Sequence, residues 1–342
     1  MEGEAIVVEL PLRSPYTAAG HQLTTRRGIV LRLSAGDHTG WGEFAEIPGY
    51  SRETVETALA ALIGEPVIHS NPMAVAALRT AELDLEARRQ SRPLTSLFGG
   101  SPGPVAAGAV IARFGDVDGT IAEAEARVAD GYPSLKVKIG PGFDVEPLQA
   151  LRDRFPELTI AADANGSYGP GELPPGIDEL GLRYIEQPHG AATGWSELAS
   201  LRARLATPIC LDESITGPPS LRSAIAAGAC DFVTIKPARV TGLATAADML
   251  EYARDAGVGV IAGGLLESGI GRGAALAFAR LPGVVNPADL SASDRYWARD
   301  LTEPAWQLTA GALHVPDRPG IGVDVDLGYL DSVATARHRL PA

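Results

Sequence analysis

The sequence predicts an α/β protein: a TIM-like (β/α) barrel, preceded by an α+β unit that the C-terminal tail completes. Three observations carry that prediction. From residue 105 onward, short β-branched runs alternate strictly with Ala/Leu/Arg-rich stretches of helical period, the pattern of βαβ units around a parallel sheet. Eight such runs can be counted, enough to close a ring. Successive runs also end in ionisable side chains at nearly constant spacing. An open doubly wound sheet shares the alternation, but no Gly-x-Gly-x-x-Gly follows a first strand.

The first hundred residues lack that alternation. Residues 5–10, 28–33 and 41–44 have antiparallel strand character, with the polar stretch 17–27 separating the first two. Helices are expected over 52–63 and 72–89, where Pro72 is acceptable in the first turn. The barrel strands are read at 105–112, 134–139, 158–164, 182–187, 208–213, 232–236, 257–262 and 284–290. Helices fall between them, for example at 121–129, 145–154, 197–205 and 243–255. From Ala312 the chain carries Pro316, Pro319, Gly320, Gly322 and Gly328, which predicts irregular chain packing back on the N-terminal unit. The expected division is 1–104, 105–311 and 312–342.

Composition excludes several classes. The 342 residues are 45% hydrophobic and 21% charged, ordinary globular values that rule out collagen, coiled coil and extended disorder. No apolar run approaches the roughly 18 residues of a membrane span. The net charge of −13, with no basic run, argues against nucleic acid or anionic membrane as a partner. A small anionic substrate is not excluded, because a bound divalent metal reverses the local field. The acidic start Met1-Glu2-Gly3-Glu4 is unlike a secretory signal, and the two cysteines, Cys210 and Cys230, form no disulfide framework; both predict a cytoplasmic protein.

The strand ends carry the chemistry, since active sites of such barrels sit at the C-terminal ends. The second run gives Lys136-Val137-Lys138, the third ends in Asp163-Ala164-Asn165 and the fourth in Glu186-Gln187-Pro188. The fifth ends in Asp212-Glu213-Ser214 and the sixth in Lys236-Pro237. Lys138, Asp163, Glu186, Asp212 and Lys236 follow one another at 25, 23, 26 and 24 residues, each step about one βα repeat. One such residue alone would read as a strand-end salt bridge; five in register do not. Three converging carboxylates repel unless a divalent cation neutralises them, and oxygen-only ligands favour Mg²⁺ or Mn²⁺ over zinc. Asp163, Glu186 and Asp212 are therefore the expected ligands. Glu213 should point the other way on an extended strand. Asn165 supports the site or shapes a turn. Lys138 and Lys236 flank the carboxylates, and a lysine near cations has its pKa lowered toward the range of a general base. Lys136, on the same face as Lys138, either depresses its pKa or binds a substrate carboxylate. This arrangement suits proton abstraction α to a carboxylate.

These residues resemble the enolase superfamily, in its muconate-lactonising-enzyme-like subgroup, over nearly the whole chain and including a capping domain around Gly40-Trp41-Gly42-Glu43. Within the subgroup, Gly263-Gly264-Leu265-Leu266-Glu267-Ser268-Gly269-Ile270-Gly271-Arg272, Ser291 to Trp297 and Pro319 to Asp324 resemble the o-succinylbenzoate synthase / N-succinylamino acid racemase branch. The resemblance implies a modified barrel, Mg²⁺ as cofactor, and a small carboxylate substrate. The synthase reaction is syn dehydration of 2-succinyl-6-hydroxy-2,4-cyclohexadiene-1-carboxylate through a metal-stabilised enediolate, on the menaquinone route. Lys138 would take the α-proton and return it to the departing hydroxyl, while Lys236 would stabilise the intermediate as a cation against its π-system. In the racemase, Lys236 would be the opposite-face base. Arg239, three residues beyond, resembles a branch arginine that keeps racemisation open. Mandelate-racemase-like members need a histidine on the seventh strand, absent here. Dipeptide epimerases carry Asp-x-Asp on the eighth, where only Asp289 stands. Muconate cycloisomerase matches the Gly-Gly-Leu-Leu-Glu-Ser run less closely. A catalytically silent barrel predicts a lost lysine or ligand, and all are intact.

The resemblance further implies that the capping segments 14–27 and 47–50 close over the mouth. Arg26 or Arg27 would meet a succinyl carboxylate or stand as a solvated turn residue, His21 reads first as a capping-loop residue and only second as a substrate contact, and Gly264 and Leu265 would line the pocket. Barrels of this size often associate, so a homo-oligomer stays open.

Overall fold

Strands β1 (Glu2–Ala18) and β2 (His21–Ala35) form a long antiparallel hairpin, and β3 (His38–Ala45) pairs with β2 on its other edge. The computed structural model describes residues 2–18, 21–64, 71–113 and 115–341; the side chains of Thr17, Ala18 and His21 also lie outside the described set, so the expectation placed on His21 is not addressed. The polar stretch 17–27, expected to separate two strands, instead largely extends them, because alternating polar residues suit a solvated antiparallel ribbon. The pairing slips between Pro11 and Tyr16, and the hairpin bends there onto the barrel: Arg13 N donates to Tyr296 O (2.8 Å) and Tyr16 meets Tyr296 edge-on at 5.6 Å.

Two helices cover this sheet, α1 (Val55–Ile63) and α2 (Pro72–Arg89). Thr54 caps α1 reciprocally with Thr57, and the Glu53 carboxylate accepts from Met73 N (2.9 Å) and Ala74 N (3.1 Å) at the start of α2. Helix α2 lies directly on β3 because Gly40 and Gly42 have no side chain there. A Cβ at Gly42 would stand 2.0 Å from the Ala77 carbonyl oxygen.

After β4 (Gly103–Ala106) come seven parallel staves: β5 (Ala109–Ile111), β6 (Ser134–Lys138), β7 (Thr159–Asp163), β8 (Ile185–Glu186), β9 (Ile209–Leu211), β10 (Phe232–Ile235) and β11 (Gly259–Ala262), hydrogen-bonded in that order. Helices α3 (Val117–Ala129), α4 (Val145–Arg154), α5 (Trp195–Arg202), α6 (Pro218–Ala226), α7 (Leu243–Asp255) and α8 (Gly269–Ala279) wrap them, and between β7 and β8 a short 3₁₀ turn (Ile177–Leu180) stands in for a helix. The eighth run, 284–290, is not a regular strand, since Pro287 interrupts its ladder. It still closes the ring: Val285 N and Asp289 N donate to Val260 O (2.7 Å) and Ala262 O (2.9 Å), and Ala288 N donates to Ala106 O (2.9 Å) on the other side. The first run divides into β4 and β5, because β4 turns outward to pair with the tail.

After β12 (Thr302–Glu303), the tail from Ala312, expected to be irregular, contains β13 (Ala312–Val315), β14 (Asp324–Val325), α9 (Leu327–Val333) and β15 (Ala334–Arg339). Strand β13 pairs with β4, and β15 completes the N-terminal sheet along β1. The Pro-Gly-Ile-Gly segment docks on α2, where buried Asp84 accepts from Ile321 N (2.6 Å), Trp41 N (2.9 Å) and Arg88 Nε (3.0 Å). Among the described residues, no helix is long and apolar enough to cross a membrane.

The contact between α2 and β3 yields a direct test. Gly42→Ala is expected to destabilise the fold by about 1–3 kcal/mol through overpacking against Ala77, read as a lowered midpoint in thermal unfolding. An unchanged midpoint would mean that α2 shifts freely and does not fix the cap.

Candidate active site

The two-residue alternation of an extended chain puts Lys136 and Lys138 on one face of β6, with Leu135 and Val137 buried on the other. Parallel register then sets Lys138 beside Asp163, and Asp163 beside Glu186, at the C-terminal ends of β6, β7 and β8. Asp212 and Lys236 follow immediately after β9 and β10. The five strand-end residues therefore share one mouth, over a cavity of about 710 Å³ that Lys136, Lys138, Asp163, Asp212 and Lys236 help to line.

Each carboxylate is held by a lysine. Lys138 Nζ donates to Asp163 Oδ2 (2.7 Å) and Asn165 Oδ1 (2.7 Å). Lys136 Nζ donates to Glu186 Oε1 (2.8 Å) and to Asp289. Lys236 Nζ donates to Asp212 Oδ2 (2.7 Å) and Tyr50 OH (2.8 Å), and stands 4.5 Å from the centre of the Tyr50 ring. Arg239 Nη1 donates to Asp212 Oδ1 (2.7 Å) and to Tyr50 OH.

These pairings reverse one expectation. Burial alone would lower the Lys236 ammonium, as neighbouring cations would, but Asp212 and the Tyr50 hydroxyl outweigh both and hold it above the ordinary lysine value. Lys136 is likewise lowered by burial and raised further by Asp289, Glu186 and Asp163, so it is held well up. Burial opposes ionisation of Asp212, yet Arg239 and Lys236 keep it far below the usual carboxylate range. Burial pushes Glu186 up to about 8, with Asp163, Asp212 and Asp289 adding to it against Lys136. Tyr50 is pushed up to about 12 by burial, with Asp212 adding and Arg239 opposing.

Other expected residues fall in different places. Gly264 and Leu265 line the cavity, as does Asn165, which has a left-handed backbone (φ 44°) and donates to Glu213 Oε1 (2.8 Å). Arg239 is buried behind the wall, on Asp212 and Tyr50, and does not line the cavity. Arg26 is a correction: it is fully buried, ion-paired with Glu43 and stacked 5.5 Å from the centre of the Trp297 ring, away from the cavity, because its position on β2 faces the barrel loops. Arg27 lies on the outer surface with Glu46 (3.3 Å) and Glu56 (2.6 Å). Glu213 is a second correction. Strand β9 ends at Leu211, so Asp212 and Glu213 lie in a turn and both face the cavity.

That turn depends on Gln187, whose side-chain oxygen accepts from Asp212 N (3.0 Å) and Ser214 N (3.1 Å). The sequence signal was the Glu-Gln-Pro tripeptide, in which only the glutamate had been given a part. His189 is buried on the Glu172 carbonyl (3.1 Å) and lies outside the cavity lining. Tyr16, Ile47, Gly49 and Tyr50 line the cavity from the two cap segments expected to close over the mouth, although Tyr16 and Tyr50 were not singled out, because no period marks them in the cap; Asp289 was not given a part in the site. Asp289 ends the eighth run and could have been found by the rule that found the other five.

An α+β cap over a barrel mouth, with carboxylates set between lysines, defines an enzyme built to take a proton from carbon beside a carboxylate. The chain belongs to the enolase superfamily: the family described as Enolase C-terminal domain-like matches residues 119–329, and MenC, N-terminal domain, matches residues 7–68. N-succinylamino acid racemase from Thermus thermophilus is 36% identical, with 96% of each chain covered. An o-succinylbenzoate synthase from Geobacillus kaustophilus is also 36% identical, over 93% of this chain and 92% of that one. A superfamily member from Listeria innocua superposes with a TM-score of 0.92 at 31% identity, covering 99% of this chain and 98% of the other.

Superfamily members use a divalent metal. Among the described residues no three acidic, His or Cys groups stand in ready ligand geometry, because the lysines hold the carboxylate oxygens. The donor set nevertheless fits: Asp163, Glu186 and Asp212 are hard oxygen donors, at most 2% exposed, on three neighbouring staves. Adding Mg²⁺ to chelator-treated protein is expected to raise the thermal midpoint saturably, by about 2.7 kcal/mol of linkage at a hundredfold excess over Kd. Asp163→Asn is expected to require roughly tenfold more cation or beyond for the same shift. An equal response of variant and wild type would remove Asp163 from the ligand set.

Proposed function

We propose that the protein is an o-succinylbenzoate synthase, acting in the cytoplasm with Mg²⁺ held by Asp163, Glu186 and Asp212. The observation that carries this reading is the placement of Lys138 and Lys236 on either side of the carboxylate row, in a chain 36% identical to such a synthase. The cation, when bound, would stabilise the negative charge that develops on the substrate carboxylate as the α-proton leaves. Lys138 is the open lysine of the three: its side chain is 27% exposed, against 8% for Lys136 and 7% for Lys236. It is therefore assigned to the proton. Its neutral amine takes the α-hydrogen and returns it to the departing hydroxyl, so water leaves and the ring becomes aromatic.

Lys236 stays an ammonium beside the substrate, oriented by Asp212 and Tyr50. Lys136, buried between Glu186 and Asp289, supplies a fixed positive charge and moves no proton. Tyr50 and Tyr16, brought by the cap, cover the mouth.

Racemisation of N-succinylamino acids is the second reading. It is favoured by Arg239, whose guanidinium shares both Asp212 and Tyr50 with Lys236 and so opposes the charge on that lysine. In that reaction Lys236 serves the opposite face of the α-carbon.

Purified protein with Mg²⁺ would be given the cyclohexadiene substrate, followed in the ultraviolet, and in parallel N-succinyl-L-phenylglycine in deuterated water, followed by proton exchange and optical rotation. Fast elimination is expected, and Lys138→Ala is expected to lower it by roughly 10²–10⁴-fold. Exchange with racemisation, also lost in Lys236→Ala, would put the racemase first. Neither reaction in the Mg²⁺-loaded wild type would overturn the substrate assignment.

A further inference from the structure

Five cations line the cavity, and four of them are already neutralised. Lys136, Lys138 and Lys236 hold the carboxylates of the barrel, and Arg272 pairs with Glu267 at 3.3 Å. The fifth is Arg113. Among the described residues no carboxylate lies within ion-pair distance of it. Its Nη2 donates to the Pro141 carbonyl (3.1 Å), and its guanidinium rests 5.6 Å from the centre of the Phe143 ring. The guanidinium reaches Gly140, where a Cβ would come within 2.8 Å of Nη1. It is exposed at the rim, held flat by one carbonyl and one ring, with donors to spare.

Its place in the ring matters more than its exposure. The parallel register pairs Val110 with Lys136 and Ile111 with Val137, so Arg113 continues β5 to a level just above Lys138. Around the barrel, β5 is the first stave and the carboxylates occupy the third to fifth, β7 to β9. The side facing them is made by β11, the irregular eighth stave and β5. There the cavity offers Gly264, Leu265 and Leu266, which are uncharged, Asp289, which Lys136 holds, Arg272, which pairs with Glu267, and Arg113.

A substrate whose reacting carboxylate lies at the third to fifth staves, between the two flanking lysines, extends its far end toward that side. Both substrates considered above carry a second carboxylate there, at the end of a succinyl arm. With a divalent cation on Asp163, Glu186 and Asp212 the three lysines face the reacting carboxylate, and on the far side Arg272 is paired with Glu267, so Arg113 is the cation left for a second carboxylate. We infer that Arg113 is the specificity-determining residue for the succinyl carboxylate, gripping it through its planar fork. Arg26, the sequence candidate for this part, is spent on Glu43 inside the cap. The inference rests on the succinyl-substrate reading of the preceding section.

The test is a binding measurement separable from turnover. Calorimetry with Mg²⁺-loaded protein compares 2-succinylbenzoate with its analogue carrying a primary amide in place of the succinyl carboxylate. Wild type is expected to prefer the diacid by roughly 10- to 100-fold, the worth of a hydrogen-bonded charge pair. Arg113→Gln is expected to erase that preference while leaving affinity for the amide unchanged, and Arg113→Lys to restore it in part. In turnover, Arg113→Gln should raise KM with little change in kcat. An undiminished preference in Arg113→Gln, with wild type active on the cyclohexadiene, overturns the role of Arg113 alone. An equal loss for diacid and amide also overturns it, as a merely structural effect. Wild type that neither binds 2-succinylbenzoate nor dehydrates the substrate overturns both readings together.

Discussion

Three carboxylates buried side by side at a barrel mouth are the constraint on which the rest of the structure depends. Asp163, Glu186 and Asp212 are at most 2% exposed, and their mutual repulsion in a low-dielectric site is unfavourable unless positive charge lies against them. The fold supplies it from both sides, Lys136 and Lys138 from β6 and Lys236 with Arg239 from the end of β10. Removing one member of such a buried pair typically costs about 3–5 kcal/mol, because the partner charge is left uncompensated. The same residues thus hold the mouth together and stand ready for the chemistry. A divalent cation and a lysine are alternative partners for the same oxygens, so occupancy by one frees the other.

The cap is fixed to this mouth by a second buried carboxylate. Glu43, on β3, ion-pairs with Arg26 and accepts from Ser268 N (3.0 Å), Ser268 Oγ (2.7 Å) and Gly271 N (2.9 Å) at the start of α8. Helix α8 follows directly on the Gly264–Leu266 loop, so the contact ties the cap to a wall of the cavity. The Gly-Trp-Gly-Glu sequence has a physical explanation in these terms. Its glycines let α2 lie on the strand, and its glutamate reaches the barrel. Asp84 does the same for the tail by receiving Ile321 N.

What the sequence made legible is what periodicity governs. A side chain that must reach the mouth recurs once per βα unit, which is why Lys138, Asp163, Glu186, Asp212 and Lys236 stood out. Helices α2, α4 and α7 carry their own period and match the bounds read for them. Where geometry departs from the repeat, the reading failed. Glu213 was turned outward on a strand assumed to continue, whereas Gln187 bends the chain two residues earlier. The eighth stave is held by single bonds to β11 and to the end of β4, not by a ladder. Arg26 looked like any polar hairpin residue, and only its tertiary partner, 17 residues away on β3, shows that it is buried.

In the mechanism proposed above, dehydration and racemisation would share their first step, removal of the α-proton by Lys138, and would differ in what Lys236 must then do. A synthase needs Lys236 only as a fixed cation, which Asp212 and the Tyr50 hydroxyl favour. A racemase needs it to take up and give back a proton, which requires an opposing charge. Arg239 provides one, on the same two partners. In the proposed mechanism the balance would be struck at Tyr50, whose hydroxyl accepts from both cations and belongs to the cap, not to the barrel. The barrel therefore carries chemistry common to both reactions, while the residue that weights one against the other rides on the element that closes over the substrate. On that proposal, changes around Tyr50 and Arg239 would shift the weight between the two activities without disturbing a strand-end carboxylate.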